Sequence, residues 1–137
     1  MTRITPPDVS LWLCDHLRRQ LTEPKGLQVG IRVPDEYKGT HPLIVIRDDG
    51  GSQSERLIFD RSLGITVYMG AANDPKPCRD LAALVYSILT DEQLAHEEGS
   101  PIAGIVEDGC NGVYAVNGDQ PTCMYYMTVE YTAVPDL

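Results

Sequence analysis

Twice in this chain the apolar residues fall on every second position, and that spacing dictates an extended backbone with one face to bury. Leu63, Ile65, Val67 and Met69 make one run; Tyr125, Met127, Val129 and Tyr131 make the other. Successive side chains of a strand point to opposite faces, so each run presents an apolar surface that must find a cover. Two segments with apolar residues three and four apart supply it. Val9, Trp12, Leu13, His16, Leu17 and Leu21 line one stripe of a helix expected to open at Pro6-Pro7-Asp8, run to about residue 22 and end at Pro24 and Gly26. Cys78, Leu81, Ala82, Val85, Ile88 and Leu89 line a second, with Asp74 as the capping side chain, Pro75 at the first helical position and an end near residue 90.

The remaining strands are shorter. Leu27, Val29, Ile31 and Val33 alternate with Gln28, Gly30 and Arg32, predicting a half-buried strand over residues 27–33. Leu43-Ile44-Val45-Ile46 is apolar on both faces and predicts a central strand covered on each side, leading into a polar loop, Arg47 to Ser52. The long alternating strand is expected over 57–69. After the second helix comes a solvated acidic run, 91–100, then strands at 102–108, 113–116 and 124–134. The Asn111-Gly112 and Asn117-Gly118 pairs bracket the middle one as turns. A chain of 137 residues is long enough to bury one core. The expected fold is α+β: a single domain over 1–137, with two helices on one face of a mostly antiparallel sheet, in the order α-β-β-β-α-β-(β)-β.

Charge divides the chain. All 11 Lys and Arg residues lie at or before Arg79, against 10 acids in the same stretch; from Asp80 onward there are 10 acids and no Lys or Arg. Acids without cations must stay in water or meet a partner chosen for them. A phosphate-gripping surface is excluded there, because nucleic-acid binding needs Lys and Arg to displace counterions. Three uses remain: repelling a polyanion, docking a basic partner, or solubility.

Motifs of chemistry are sparse. Asp48, Asp49 and Asp60, with Gly50-Gly51 to bend the backbone, are the best acidic metal candidates, yet Arg47, Arg56 and Arg61 stand ready to pair with them and no EF-hand spacing exists. The cysteines Cys14, Cys78, Cys110 and Cys123 form no close pair of the kind zinc takes, and are expected as reduced thiols. None of His16, His41 and His96 sits in a nucleophile elbow, and no phosphate-loop glycine pattern occurs. No enzyme activity, metal or cofactor is expected. No apolar run approaches the roughly 20 residues of a membrane span, and the opening residues lack a signal peptide's apolar stretch. On the last strand Tyr126, Thr128, Glu130 and Thr132 form a candidate subunit contact, since tyrosine suits interfaces.

Four pieces together resemble the tail terminator proteins of long-tailed bacteriophages, also called minor tail or tail-completion proteins. They are the opening helix from Val9 to Leu21; Pro42-Leu43-Ile44-Val45-Ile46-Arg47-Asp48-Asp49-Gly50-Gly51; Asp60-Arg61-Ser62-Leu63-Gly64-Ile65-Thr66-Val67-Tyr68 with the helix Asp80-Leu81-Ala82-Ala83-Leu84-Val85; and the closing strand after Pro121. Residues 111–120 match no part of that pattern. The resemblance implies a structural virion protein, made in the host cytoplasm and residing at the head-proximal end of the tail. It would form a homo-hexameric ring that caps the tail tube, ends tube polymerisation and joins the head through a connector protein. DNA would pass through its channel without specific binding, and no membrane is involved. The resemblance places ring or tube contacts at Arg47, Asp48, Asp49, Gly50, Gly51, Asp60 and Arg61, to which strand facing adds Tyr126 and Glu130. The charge division adds an expectation of its own: Asp91, Glu92, Glu97, Glu98, Glu107, Asp108 and Asp119 face the DNA channel and keep the duplex from sticking. Other classes fit the same residues: an acidic inhibitor or immunity-type protein covering a basic partner, and a small metal-dependent hydrolase built on Asp48, Asp49 and Asp60.

Overall fold

In the computed structural model, which describes residues 3–118 and 120–135, the two alternating runs lie side by side and carry the remaining elements. The chain runs α1 (Val9–Gln20), β1 (Gln28–Gly30), β2 (Leu43–Gly50), β3 (Gln53–Glu55), β4 (Ile58–Ala71), α2 (Lys76–Leu89), β5 (Ile102–Ile105), β6 (Asn111–Ala115) and β7 (Thr122–Ala133), with 3-10 helices at Glu92–His96 and Glu107–Gly109. Seven strands form one mixed sheet in the order β1-β2-β4-β7-β5, with β3 added to β4 and β6 to β7. Only β1 and β2 are parallel to each other. The fold is α+β, as expected.

Register sets the core. Leu63 lies opposite Val129, Ile65 opposite Met127 and Val67 opposite Tyr125, so both apolar runs share one face. Ile46 and Ile44 of β2 continue it across from Ile65 and Val67. Both helices cover that face: α1 packs on β1 and β2, α2 on β4 and β7. Leu13, Cys14 and Leu17 of α1 and Cys78, Ala82, Val85 and Leu89 of α2 are fully buried. The Asp8 carboxylate caps α1 by accepting from the Leu11 N–H at 3.0 Å, the N-cap role that satisfies an orphan donor of the first turn. Among the described residues no helix is long and apolar enough to cross a membrane.

Several local expectations are corrected. The strand predicted over 27–33 stops at Gly30, where pairing with β2 ends, and Pro34 offers no N–H to continue it. Ile31 and Val33 are left 57% and 39% exposed. Residues 47–50, expected as loop, extend β2, because β4 is long enough to pair with them. Asp74 does not cap α2; Pro75 holds the N-cap position without a side-chain bond. The acidic run 91–100 contains a 3-10 helix, capped by Asp91 and anchored by Leu94, which is buried. The strand expected over 102–108 stops at Ile105, and the 3-10 turn Glu107–Gly109 follows. Asn111-Gly112 lies inside β6 and makes no turn: Gly112 has φ +145°, and a Cβ there would sit 2.7 Å from that of Met127.

Two buried polar side chains bear on stability, one in β7 and one in α1. Tyr131, fully buried, donates its hydroxyl to the Leu89 carbonyl at 2.6 Å, satisfying an acceptor at the open end of α2. Tyr131→Phe is expected to cost about 1–3 kcal/mol, because that carbonyl is left unsatisfied; urea unfolding measures it. His16 is 4% exposed and stacks on Trp12 at 5.1 Å between centroids, and its Nδ1 has no partner. Burial holds its pKa below the ordinary value; the nearby carboxylates Glu97 and Asp91 oppose that, and Arg19 reinforces it. The unfolded chain therefore takes up this proton more readily than the folded one, so stability is present above a pH of about 6.5 and falls as pH drops below it. Replacing His16 with Leu should flatten the acid limb of the stability-pH curve between pH 7 and 5. An unchanged limb would contradict the assignment.

Candidate functional site

The face of the sheet away from the helices carries a cluster built over a glycine. Gly64 of β4 sits opposite Arg47 of β2 and Thr128 of β7, with Tyr126 one diagonal step away. A Cβ on Gly64 would lie 2.5 Å from the Tyr126 hydroxyl, 2.8 Å from Arg47 Nη2 and 3.2 Å from Asp49 Oδ2. Three side chains thus converge where the strand has none. Arg47 donates to Asp49 through Nε (2.5 Å) and Nη2 (3.1 Å), and Nη2 also donates to the Tyr126 hydroxyl at 3.1 Å. Its guanidinium carbon stands 5.9 Å from the Tyr126 ring centroid.

These contacts set the electrostatics. The hydrogen bonds from Arg47 hold the Asp49 carboxyl below its usual range, and Asp49 in turn raises the guanidinium, which stays charged. The pair is a fork with a tyrosine backing it, well suited to recognition by shape. Its contribution to folding is small, since the Arg47 side chain is 60% exposed and exposed ion pairs contribute about 0–1 kcal/mol.

The neighbouring motif residues serve the turn. Asp48 Oδ1 accepts from the Gly50 N–H at 2.8 Å. Gly51, with φ +150°, packs so closely on β4 that a Cβ would run into the Asp60 carbonyl oxygen. Asp60 itself donates its N–H to the Ser52 carbonyl at 2.7 Å. Strand parity puts Arg61 with Phe59 and Leu63 on the helix-covered face, where its guanidinium stacks over the Phe59 ring at 5.1 Å. Of the residues singled out as contacts, the structure therefore gathers Arg47, Asp49 and Tyr126, keeps Asp48, Gly50, Gly51 and Asp60 in the adjoining hairpin, and sends Arg61 to the other face. Glu130 shares the face of Tyr126 but lies under the Glu107–Gly109 turn, where a Cβ on Gly109 would collide with it.

The acids form a second feature. Asp91, Glu92, Glu97, Glu98, Glu107 and Asp108 are all exposed and flank β5, and none is in an ion pair among the described residues. Asp119 lies outside the described residues. The grouping of Asp48, Asp49 and Asp60 as metal ligands does not form: among the described residues no set of three or more His, Cys, Asp or Glu side chains could hold a metal ion. Cys14, Cys78 and Cys123 are buried and free, and desolvation pushes the first two thiols up, to about 11 and about 12. Such thiols are poor nucleophiles, because the thiolate is the reactive form.

Sequence reading named Arg47, Asp49 and Tyr126 without linking them, and it missed Gly64 as their platform. A single glycine inside an apolar strand was the available signal, since it often marks a close approach. Compared with protein-family models and with curated proteins, the chain matches none.

Two outcomes are expected here. Alanine at Arg47 or at both Asp48 and Asp49 should change stability by no more than about 1 kcal/mol, as for exposed positions. Calcium or magnesium should leave the melting temperature unchanged, since a ligand that binds only the folded state raises it. Thermal scans across a cation titration check both.

Proposed function

We propose that this protein is a structural ring component of a bacteriophage tail, acting as a terminator: it caps the tail tube, ends its polymerisation and offers a surface to the head. The observation that carries the reading is the acidic surface around β5, six exposed carboxylates between Asp91 and Asp108 with no cation among them. Repeated around a cyclic axis, such a surface makes a strongly negative pore, and salt screens its field only beyond about 8 Å at physiological strength. A duplex would slide past it by like-charge repulsion. Support also comes from the sheet, whose outer strands β1 and β5 each have one neighbouring strand and stand at opposite edges, where side chains can meet another copy. The hairpin around Arg47 and Asp49, with Tyr126, is the proposed contact with a neighbouring copy or the tail tube. In this reading the protein carries out no reaction and holds no cofactor or metal, and the virion is its proposed location.

A second reading draws on the same six carboxylates: an acidic protein that covers a basic partner one to one. Oligomeric state separates the two. Light scattering on the eluting protein at increasing concentration should show a hexamer for the ring, and negative-stain images should show closed rings. A chain that stays monomeric at millimolar concentration and binds a basic protein with one-to-one stoichiometry would favour the second reading.

A further inference from the structure

The division of charge along the chain becomes a division across the sheet. Strand order β1-β2-β4-β7-β5 sets an N-terminal strand and a C-terminal strand at opposite edges. At the β5 edge the 3-10 helix Glu92–His96 leans on the strand and leaves a groove of about 270 Å³. Its lining is apolar at Ala95, Ala103 and Ile105 and acidic at Glu92 and Glu107, with His96 beside them. At the β1 edge the chain leaves the sheet at Gly30 and presents Ile31-Arg32-Val33, all exposed, with Arg32 in no ion pair among the described residues. Two β-branched residues flank one cation, and the groove has an apolar base between two carboxylates.

We propose that Ile31-Arg32-Val33 of one copy docks into the Glu92–Glu107 groove of the next. The inference rests on the ring-forming reading and supplies its joint. Arg32 is the one charge within residues 28–34, with Asp35 and Glu36 following beyond Pro34, whereas residues 91–108 carry six acids and no Lys or Arg. Arg32 can meet Glu92 and Glu107 through its planar fork, which suits carboxylates better than a lysine would. Ile31 and Val33 leave water against Ala103 and Ile105. Arg18 already donates to the Val29 carbonyl at 2.6 Å, occupying part of the β1 edge, so side chains make the joint and the sheet is not extended through it. Plug and groove are different surfaces of one chain, so each copy uses both. Contacts of that heterologous kind close into rings when the rotation closes. Docking withdraws Glu92 and Glu107 from the channel and leaves Asp91, Glu97, Glu98 and Asp108 to line it.

Charge reversal tests the joint, using the full chain and sedimentation velocity. Arg32→Glu, and Glu92→Lys with Glu107→Lys, should each weaken self-association by about tenfold or more, as expected when an interfacial pair becomes repulsive. All three changes in one chain should restore assembly. Circular dichroism and melting confirm that each variant is folded; all three positions are exposed. If the wild type assembles but Arg32→Glu assembles equally well, the joint is wrong and the ring reading stands. Loss in both partial variants without recovery in the combined chain also overturns the joint, because the two surfaces then do not touch. A wild-type chain monomeric at millimolar concentration overturns the ring reading, and the joint with it.

Discussion

The antiparallel pairing of β4 with β7 is the contact on which the rest of the structure depends. It runs from Phe59 opposite Ala133 to Ala71 opposite Thr122, with one register shift near its end. Because side chains alternate, this one register puts Leu63, Ile65, Val67, Tyr125, Met127, Val129 and Tyr131 on a single face. A slip of one residue in either strand would turn its apolar set to water. Both helices bury against that face, Tyr131 fastens the end of α2 to it, and β2 extends it through Ile44 and Ile46.

With one face committed to the helices, the other is free to carry recognition. Its side chains are half-buried along β7, from Met124 through Tyr126 to Thr132, a texture intermediate between core and surface. Gly64 matters because it removes a side chain at the centre of that face and lets Arg47, Asp49 and Tyr126 meet above the backbone. The cluster is therefore positioned by rigid strands at low cost in stability, which suits a contact surface. The sheet edges complete the picture: one ends in an exposed Ile-Arg-Val segment and the other in an acidic groove, so the molecule is polar along its own strand order.

Legibility differed among the elements for physical reasons. Long strands and amphipathic helices were readable because many residues obey one period; β4, β7, α1 and α2 stand close to where their spacing put them. Short elements were not. β1 had the alternation of a seven-residue strand but neither a partner nor a cover beyond Gly30. The helix at Glu92–His96 is too short for a period and is fixed by Leu94 and the Asp91 cap. Arg47 and Asp49 were singled out, yet Tyr126 lies 79 residues from Arg47 in the chain, and only strand pairing brings them together.

By itself the sequence determined the class of fold, the faces that must be buried and the absence of cations after Arg79, because periodicity and charge are properties of residue order. Tertiary structure alone decided which strands are neighbours, and so where the charges go. It set β1 and β5 at opposite edges, turned Arg61 away from Asp49, and placed Glu130 under an acidic turn instead of beside Arg47. Those outcomes depend on register and strand order, which are chosen by the packing of the whole core, a sum over residues far apart in the chain that no local window contains.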